Sequence, residues 1–543
     1  NDFKIKNGNF LALNHFYIEK SKLKMKNSRG HILWVDDEIE HLKPHMLFLE
    51  QKGYELSKAT NGHDAIALSK SNQYDLILLD HSMPGMDGIE TLAELKKHRS
   101  SQLIIMITKI EDEWLMDEAI SEQVDQFLIK PVNPNQIFMA CKQSLEKNKL
   151  SEEKVTTDYL KQFQQIDDAI EDTINVDDWW KLYDRLTDWQ IKFDTYKDTG
   201  LGNILEEQIN SCNREFTSFI DSNYKSWMEV EERPMFTKDI VVKHIIPRLK
   251  NQKKTCLLVV DCMRYDHFKA IMPLLEPLFN IKLEYCLSLL PTATPYSRNA
   301  IFSGMFTDEM VEKYPHQASD MKEDAPSLNQ YEKEFLIDQL KLFQLNDVSF
   351  HYHKIWAVDE GNKFQNRVKD YANQDLISLV VNFVDILAHK SSQMDVLKEM
   401  VPDEAGYRLA VKNWLEQSWL LKVLKYFSEM GFSVIMTSDH GSIRVQNNVM
   451  VSADRTASSG VRYKYGRNIN TNPKNALVIR EPKEYRLPTF GPQPTYVIAK
   501  NDNYFVYPNE AHKYQGKFSN SFQHGGISME EMIVPVAIME SRL

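Results

Sequence analysis

The sequence predicts a multidomain α/β protein in which a helical segment separates two α/β regions. Short apolar strands alternate with amphipathic helices in the first region, and apolar residues recur at helical spacing in the middle. Strand-like apolar runs return in the last region. At roughly 100–200 residues per domain, a chain of 543 residues suits about three domains. We place them at 30–149, 150–250 and 251–543.

Five apolar strands are predicted within residues 30–149. They read HILWVDD, YELSKA, YDLILLD, QLIIMIT and DQFLIK, and helical patterns lie between them. Continuous runs of leucine and β-branched residues are typical of strands buried on both faces, and hence of a parallel sheet. Repeated strand–helix units of this length predict a flavodoxin-like, doubly wound domain.

Residues 150–250 predict a small helical bundle. The segment is rich in charged and aromatic residues and contains few glycines or prolines. Apolar side chains recur at helical spacing, as in Trp179, Leu182, Tyr183 and Leu186. The bundle is either a spacer or an element that relays a signal between its neighbours, and the sequence leaves both readings open.

Residues 251–543 return to a mixed α/β pattern. The predicted strands include KTCLLVVD, FSVIMTSD, TYVIA and MIVPVAIM. No helix-turn-helix pattern follows the first domain, which argues against a conventional transcription factor.

Composition argues against several classes of protein. The net charge of -12 disfavours direct DNA binding, since an acidic chain repels a nucleic-acid backbone. Five cysteines without CxxC spacing suit a reducing cytoplasm. No apolar run approaches the ~18 residues that span a bilayer, so we expect a cytoplasmic protein without a membrane partner. We expect residues 1–29 to be an extension, either foreign to the protein or disordered, with Met25 as the native start.

Carboxylates fall at the ends of two strands of the first domain. Asp36 and Asp37 follow the first strand, and Asp80 ends the third. In open α/β sheets the chemistry lies at this edge, where an oxygen-preferring cation, most simply Mg²⁺, relieves the repulsion between carboxylates. Asp80 can then attack a phosphoryl group and form an acyl phosphate. Thr108 and Lys130 end the next two strands, where a hydroxyl and a cation can bind its oxygens.

The stretches WVDDE, LILLDHSMPGMDG, MIT and FLIKP resemble the response-regulator receiver family. The resemblance implies an acidic pair that holds Mg²⁺, a phosphoacceptor, a switch hydroxyl and a phosphate-binding lysine, which are Asp36 with Asp37, Asp80, Thr108 and Lys130. It also implies a partner sensor histidine kinase as phosphodonor.

An aromatic residue completes the predicted switch. Phe127 lies on the last strand, where its ring can change rotamer together with Thr108, although simple packing of a buried aromatic stays an alternative. We expect phosphate on Asp80 to draw in Thr108, remodel this edge of the sheet and expose a surface for homodimerisation.

The last domain carries a second set of strand-end polar residues. Asp261 follows LLVVD, and Asp439 with His440 ends FSVIMTSD. Carboxylate and imidazole together are suitable ligands for Zn²⁺. In NFVDILAH, Asp385 and His389 are four residues apart and share one face if this stretch is helical.

Two loops add candidate groups. His524 lies in FQHGG, where glycines permit close backbone approach to a bound group. Thr292 and Thr294 lie in LLPTATPYSR before a predicted helix, whose N-terminus favours an attached phosphoryl group. A hydroxyl bound to zinc is a stronger nucleophile, and spacing alone does not choose between the two threonines.

Each of these pieces has a simpler explanation when taken alone. An Asp-His pair is commonly structural, a DxxxH helix presents a solvated face, and TxTP is a capping turn. Their order along the chain is more specific, because VVDCMRYD, PTATPYSR, FVDILAH, TSDHGS, RYKYGRN and QHGG together resemble the PglZ branch of the alkaline phosphatase superfamily. That resemblance implies an α/β/α domain with two Zn²⁺ and Thr294 as nucleophile. The implied ligands are Asp261, Thr294, Asp439 and His440 for one ion, and Asp385, His389 and His524 for the other.

Two basic features are candidate substrate contacts. Arg264 can hold a phosphate oxygen with its guanidinium, or form a structural ion pair with Asp266. The stretch RYKYGRN, residues 462–468, mixes cations and aromatic rings. It is either a seat for a nucleotide or a solvated basic loop.

The whole arrangement resembles a family of response regulators of type IX secretion systems, in which a receiver is joined to a PglZ domain. The resemblance implies an extracytoplasmic-function sigma factor as a downstream contact. We expect a zinc-dependent phosphodiesterase that acts on nucleotides or short oligonucleotides, with monoester or sulfate hydrolysis as the nearest rival. The alternative is a non-catalytic, zinc-stabilised docking module for the sigma factor.

Overall fold

The computed structural model describes residues 29–99, 101–109, 124–171, 175–195, 201–316, 329–391, 394–454, 458, 460–489, 494–508 and 511–542. The expected extension and Met25 therefore lie outside the described residues, except for Arg29. The chain divides into two compact units, Asn1–Gln162 with Thr195–Thr199, and Phe163–Asp194 with Gly200–Leu543.

The first unit contains a five-stranded parallel sheet. Its strands are β1 (His31–Val35), β2 (Glu55–Ala59), β3 (Leu76–Asp80), β4 (Ile104–Thr108) and β5 (Gln126–Ile129), in the order β2-β1-β3-β4-β5. The helices are Lys43–Gln51, Gly62–Ser71, Gly88–His98 and the start of Pro134–Glu171. This order confirms the flavodoxin-like prediction.

Apolar residues of the first sheet alternate between two cores. Leu33, Val35 and Ile77 belong to one buried cluster, and Ile32, Trp34 and Leu76 to another. Both faces of the sheet are thus covered, as the continuous apolar runs indicate.

Two long helices follow, and apart from the terminal Thr195 both lie in the second unit. They span Val176–Thr195 and Gly202–Trp227, and we call them the linker helices. The four residues predicted from their spacing, Trp179, Leu182, Tyr183 and Leu186, are all buried. The Trp179 ring packs at 5.4 Å from Phe216 of the second linker helix.

The second unit is built on a six-stranded mixed sheet. Its strands are β6 (Thr255–Val260), β7 (Phe279–Leu287), β8 (Phe350–Ile355), β9 (Leu376–Val381), β10 (Ser433–Thr437) and β19 (Ile533–Ser541), in the order β7-β19-β10-β6-β9-β8. Strands β10, β6, β9 and β8 pair in parallel, and β19 runs antiparallel to β10 and β7. Five strands therefore end at one edge of the sheet.

Helices and three smaller sheets surround this sheet. The further helices of the second unit are Ile246–Lys250, Tyr265–Leu275, Thr294–Ser303, Thr307–Lys313, Glu332–Leu342, Val358–Arg367, Phe383–Ser391, Asp395–Met400, Glu404–Gln417, Trp419–Glu429, Ala511–Phe518 and Met529–Met532. The small sheets pair β11 (Ile443–Val445) with β18 (Ser521–Gln523), β12 (Asn447–Ser452) with β14 (Asn470–Thr471) and β17 (Asn503–Val506), and β16 (Thr495–Ala499) with β13 (Tyr463–Gly466) and β15 (Ala476–Ile479).

Within the described residues, no helix combines the length and the apolar character needed to cross a bilayer.

Candidate functional site

The acidic cluster of the first unit lies where β1 and β3 end side by side. Asp36 and Asp80 are buried and Asp37 is exposed. One carboxylate oxygen from each lies within 4.8 Å of the others, a spacing that suits a divalent cation. The sequence prediction that these three residues meet agrees with the geometry.

Lys130 joins this cluster from the end of β5. Its Nζ lies 3.0 Å from Asp36 Oδ2 and 3.0 Å from Asp80 Oδ1. Burial raises the pKa of Asp80 above its ordinary value, although Lys130 opposes this effect. Burial alone would lower the pKa of Lys130, but hydrogen bonds to Asp80 and Asp36 raise it, so the ammonium keeps its proton.

The two predicted switch residues lie on neighbouring strands. Thr108 ends β4, is buried and pairs with Ile129 across the sheet. Phe127 pairs with Met106 on the same ladder and packs, half-buried, against one of the two cores.

In the second unit, the register of the sheet brings distant residues to one edge. Thr437 of β10 pairs with Val259 of β6, so Asp439 and Asp261 follow the ends of adjacent strands. Val260 pairs with Val381 of β9, which places the helix Phe383–Ser391 beside them. Parallel strands thus deliver the predicted carboxylates to one place.

One cluster of possible metal ligands combines Asp261, Asp439 and His440. The Nε2 atom of His440 lies 3.7 Å from Asp261 Oδ1 and 3.7 Å from Asp439 Oδ2. All three residues are buried. Thr294 adds a hydroxyl, with Oγ1 3.0 Å from His440 Nε2 and 3.4 Å from Asp261 Oδ1.

A second cluster contains Asp385, His389 and His524. Asp385 and His389 lie on one helix, with His389 Nε2 3.3 Å from Asp385 Oδ1. Pairing of β18 with β11 places Gln523 opposite Ile443, which brings His524 next to the loop of His440. The rings of His524 and His440 stack at 4.2 Å, so the two clusters adjoin.

Backbone carbonyls orient two of the imidazoles. His440 Nδ1 lies 3.0 Å from Gly441 O, and His524 Nδ1 lies 3.3 Å from Thr292 O. A proton on Nδ1 that is donated to a carbonyl leaves Nε2 as the free ligand atom. Both Nε2 atoms then face their clusters.

The donors of both clusters fit divalent metals. Oδ2 of Asp439 is buried and accepts no hydrogen bond from the described residues. The Nε2 atoms of His389 and His524 face each other at 3.1 Å. Burial, together with the charge of Asp439, raises the pKa of Asp261 well above its ordinary value. A cation at this position would relieve the repulsion between Asp261 and Asp439 and give Asp439 Oδ2 a partner.

Sequence reasoning missed Arg298, which lies one turn after Thr294 on the same helix. Its guanidinium is buried, and it binds Asp261 Oδ2 through Nη1. The same nitrogen donates to Asn382 Oδ1 at 2.9 Å, and Nε donates to Glu332 Oε1 at 2.6 Å. Its i, i+4 spacing from Thr294 was the signal that could have revealed it.

Arg264 is occupied by carboxylates. Its buried guanidinium donates to Asp266 at 2.8 and 2.5 Å, and Nη1 lies 2.6 Å from Glu404 Oε2. This corresponds to the ion-pair alternative, and the geometry does not favour the prediction that Arg264 binds a phosphate oxygen.

The first three residues of the RYKYGRN stretch are buried, and its last two are exposed. Arg462 donates to both carboxylate oxygens of Glu531, at 3.0 and 2.5 Å. Lys464 is buried and donates to Ser458 O at 3.2 Å, while Arg467 is exposed. The geometry favours neither the nucleotide seat nor the solvated loop for its first three residues.

The two threonines of the loop have different surroundings. Thr292 Oγ1 donates to Gly526 O at 2.7 Å and accepts from Gly525 N at 3.1 Å, whereas Thr294 faces the first metal cluster. The hydroxyl of Thr292 therefore anchors the glycine loop that follows His524.

Three family models match the chain. Residues 240–539 match the "BREX system PglZ alkaline phosphatase-like domain", which is more than half of the 543 residues. The chain belongs to the PglZ family. The PglZ domain is preceded by a match to the "Response regulator receiver domain" over 32–142 and one to the "PorX response regulator linker domain" over 149–228. This combination is that of a PorX-like response regulator, and a receiver implies a cognate sensor kinase.

The curated relatives match about a fifth of this chain. "Transcriptional regulatory protein SrrA" of Staphylococcus aureus is 34% identical over 116 residues, which cover 21% of this chain and 48% of that protein. The chain spans about half the length of the curated relatives it matches.

Solved structures similar to the chain include receiver domains. One from Methanospirillum hungatei is 28% identical with a TM-score of 0.22, and covers 22% of this chain and 97% of its own. TrrA from Thermotoga maritima, solved with Mg²⁺ and BeF, is 31% identical with a TM-score of 0.20, and covers 21% and 98%.

Removal of one histidine should reduce the metal content of the PglZ domain. We expect His389→Ala to lower bound zinc by one equivalent per chain, because it takes one of three side chains from the second cluster and leaves the first intact. Emission spectroscopy after zinc loading measures this. His512→Ala, an exposed histidine on the helix Ala511–Phe518, is the control and should bind as the unchanged protein does. Equal zinc in all three proteins would contradict the second metal site.

Proposed function

We propose that the PglZ domain is a zinc-dependent phosphodiesterase and that the receiver, phosphorylated on Asp80, controls it. The observation that carries this proposal is the position of the Thr294 hydroxyl, 3.0 Å from His440 Nε2 and beside the first metal cluster. The hydrolase class is supported by the alkaline phosphatase-like family match.

The proposed ligands are divided between two zinc ions. The first ion would be held by Asp261, Thr294, Asp439 and His440. The second ion would be held by Asp385, His389 and His524. When bound, the ions supply positive charge that offsets a phosphoryl group and lowers the pKa of a hydroxyl.

Thr294 is the proposed nucleophile. Its Oγ1 forms a bond to phosphorus while the bond from phosphorus to the leaving alcohol breaks, and water later hydrolyses the phosphothreonine. Thr294 is the first residue of the helix Thr294–Ser303, whose positive end stabilises the phosphoryl charge. Arg298 holds Asp261 from the same helix and so fixes the geometry of nucleophile and ligand together.

Loss of the Thr294 hydroxyl should abolish turnover. We expect Thr294→Val to lower kcat for bis-p-nitrophenyl phosphate by roughly a thousandfold or more, because no oxygen remains to attack phosphorus. The rate of p-nitrophenol release gives kcat. The same assay with p-nitrophenyl phosphate, a monoester, allows monoester and diester activity to be compared.

The control for this variant is Thr292→Val, which removes a hydroxyl two residues away that lies against the glycine loop. It should turn over substrate much faster than Thr294→Val does, and it should lose stability because the glycine loop loses its anchor. Full activity of Thr294→Val would rule out the nucleophile. An inactive Thr294→Val protein that still supports signalling would favour the docking module that binds a sigma factor.

A nucleotide or short oligonucleotide is the proposed substrate, and Trp356 supports this choice. Trp356 follows β8 and is 50% exposed. Ile355 pairs with Val381, which neighbours Val260. Trp356 thus lies two strands from Asp261, or about 10 Å at ~5 Å per strand. Lys354 Nζ lies 5.2 Å from the Trp356 ring, so a base could stack there beside a cation.

Removal of the Trp356 ring should weaken nucleotide binding. We expect Trp356→Ala to raise KM for a dinucleotide about tenfold with little change in kcat, because stacking on an aromatic ring contributes roughly 1–3 kcal/mol per base. Steady-state kinetics measure the separation of KM from kcat. Trp356→Phe keeps an aromatic face and should retain most of the affinity. If KM is unchanged in Trp356→Ala, a nucleotide base does not stack on the Trp356 ring.

The receiver is proposed to act through dimerisation. The phosphodonor would be a PorY-like sensor histidine kinase, and the downstream contact a sigma factor of the extracytoplasmic-function type in the regulation of type IX secretion in the cytoplasm. These proposals are supported by the match to the PorX linker domain. Magnesium held by Asp36, Asp37 and Asp80 would assist the phosphoryl transfer.

Beryllofluoride, a mimic of the phosphoryl group, should convert the protein from monomer to dimer. We expect sedimentation to show a doubled mass with Mg²⁺ and beryllofluoride, because the charge on Asp80 recruits Thr108 and Lys130 and changes the sheet edge. Asp80→Asn should stay monomeric under the same conditions, and Asp64→Asn, an exposed aspartate of the same domain, should dimerise. An unchanged mass of the original protein would contradict the switch.

A further inference from the structure

The second linker helix, Gly202–Trp227, reaches the nucleophile loop through Tyr224. The Tyr224 hydroxyl is buried and accepts a hydrogen bond from Leu290 N at 2.9 Å. Leu290 lies in the loop between β7 and the helix Thr294–Ser303, which contains Thr292 and leads directly to Thr294. That loop also touches the second cluster, since His524 Nδ1 lies 3.3 Å from Thr292 O. One contact from the linker therefore bears on the nucleophile and on a metal ligand.

The same helix reaches the first cluster through Asn213. Its side-chain nitrogen donates to both carboxylate oxygens of Glu530, at 3.1 and 2.9 Å, and its oxygen accepts from Met529 N at 2.8 Å. Asn213 and Glu530 are both buried. A single amide thus satisfies three polar atoms at the start of the turn Met529–Met532.

That turn, the short helix Met529–Met532, packs directly against Gly441, the residue after His440. Gly441 N donates to Glu531 O at 3.0 Å, and a Cβ added to Gly441 would lie 1.9 Å from Glu530 O. Only glycine permits this approach. Because His440 Nδ1 bonds to Gly441 O, the position of the turn sets the orientation of the His440 ring.

We propose that the linker is a positioning element of the hydrolase site, in which Tyr224 sets the loop of Thr294 and Asn213 sets the turn behind His440. The inference rests on the proposed function and deepens it, because it names how the site is regulated. The linker follows the receiver along the chain, so a shift of this helix on phosphorylation changes both clusters at once. Neither residue touches substrate or metal; both act through backbone that carries the reacting groups.

Two variants test the two contacts separately. Tyr224→Phe keeps the ring, which packs 5.6 Å from Phe236, and removes the hydroxyl. It should lower kcat about tenfold, because Thr294 is no longer held in place. KM should be nearly unchanged, because the contacts that bind the substrate remain. Asn213→Leu should weaken zinc binding roughly tenfold, the low end of the loss typical for a group bonded directly to a ligand, because Asn213 acts on His440 through Gly441. Competition with a chromogenic chelator measures zinc affinity, and thermal unfolding is recorded for every variant.

Two controls remove similar groups at other positions of the linker helices. The Tyr183 hydroxyl has no hydrogen-bond partner among the described residues, so Tyr183→Phe matches Tyr224→Phe. Gln208 donates to Phe163 O at 3.1 Å and to Asp167 Oδ1 at 2.7 Å, both on the helix Pro134–Glu171, so Gln208→Leu matches Asn213→Leu. Both controls should keep kcat and zinc affinity even where the unfolding temperature falls.

The outcomes separate this inference from the proposed function. If the protein turns over phosphodiesters but Tyr224→Phe and Asn213→Leu behave as their controls do, the linker does not position the site and the inference is wrong. If the protein binds zinc without turnover, the proposed function fails, and the zinc affinity of Asn213→Leu against Gln208→Leu still decides the inference. If Asn213→Leu does not fold, the kcat of the conservative Tyr224→Phe variant decides it.

Discussion

The burial of carboxylates at one edge of the second sheet is the constraint on which the PglZ domain depends. Asp261 and Asp439 are removed from water side by side, which is costly for ionised groups. The raised pKa of Asp261 expresses that cost. Arg298 compensates one oxygen of Asp261, and Glu332 in turn neutralises Arg298. Oδ1 of Asp261 and Oδ2 of Asp439 face the His440 ring, and a cation is favoured between them.

What could be predicted from the sequence follows from strand ends and local periodicity. Four aspartates could be predicted because each lies at the C-terminal end of an apolar strand, and parallel strands end at the same edge of a sheet. They are Asp36, Asp80, Asp261 and Asp439. Asp385 and His389 lie on one helix as their spacing indicates. The first sheet and the buried faces of the linker helices follow from the same patterns.

Contacts between distant segments could not be predicted in this way. His524 reaches His440 only because a three-residue strand, β18, pairs with β11, and the sequence gives no signal of that pairing beyond the order of motifs. Arg462 looked available because its partner Glu531 is 69 residues away. For Arg264 the nearby Asp266 was a visible alternative, but its second partner, Glu404, is 140 residues away. A buried cation cannot be told from an exposed one until the fold places its carboxylate.

The two acidic clusters of the chain solve the same electrostatic problem. In the receiver, Lys130 binds Asp36 and Asp80 while Asp37 stays open to solvent. In the PglZ domain, Arg298 binds Asp261 while Asp439 keeps a free oxygen. In each case a basic residue from another element neutralises part of the negative charge, so the protein can fold before a cation arrives. The negative charge that is not neutralised gives each cluster its affinity for a divalent ion. If basic groups neutralised every carboxylate, the metal-free fold would be more stable, but no negative charge would remain to bind a metal ion.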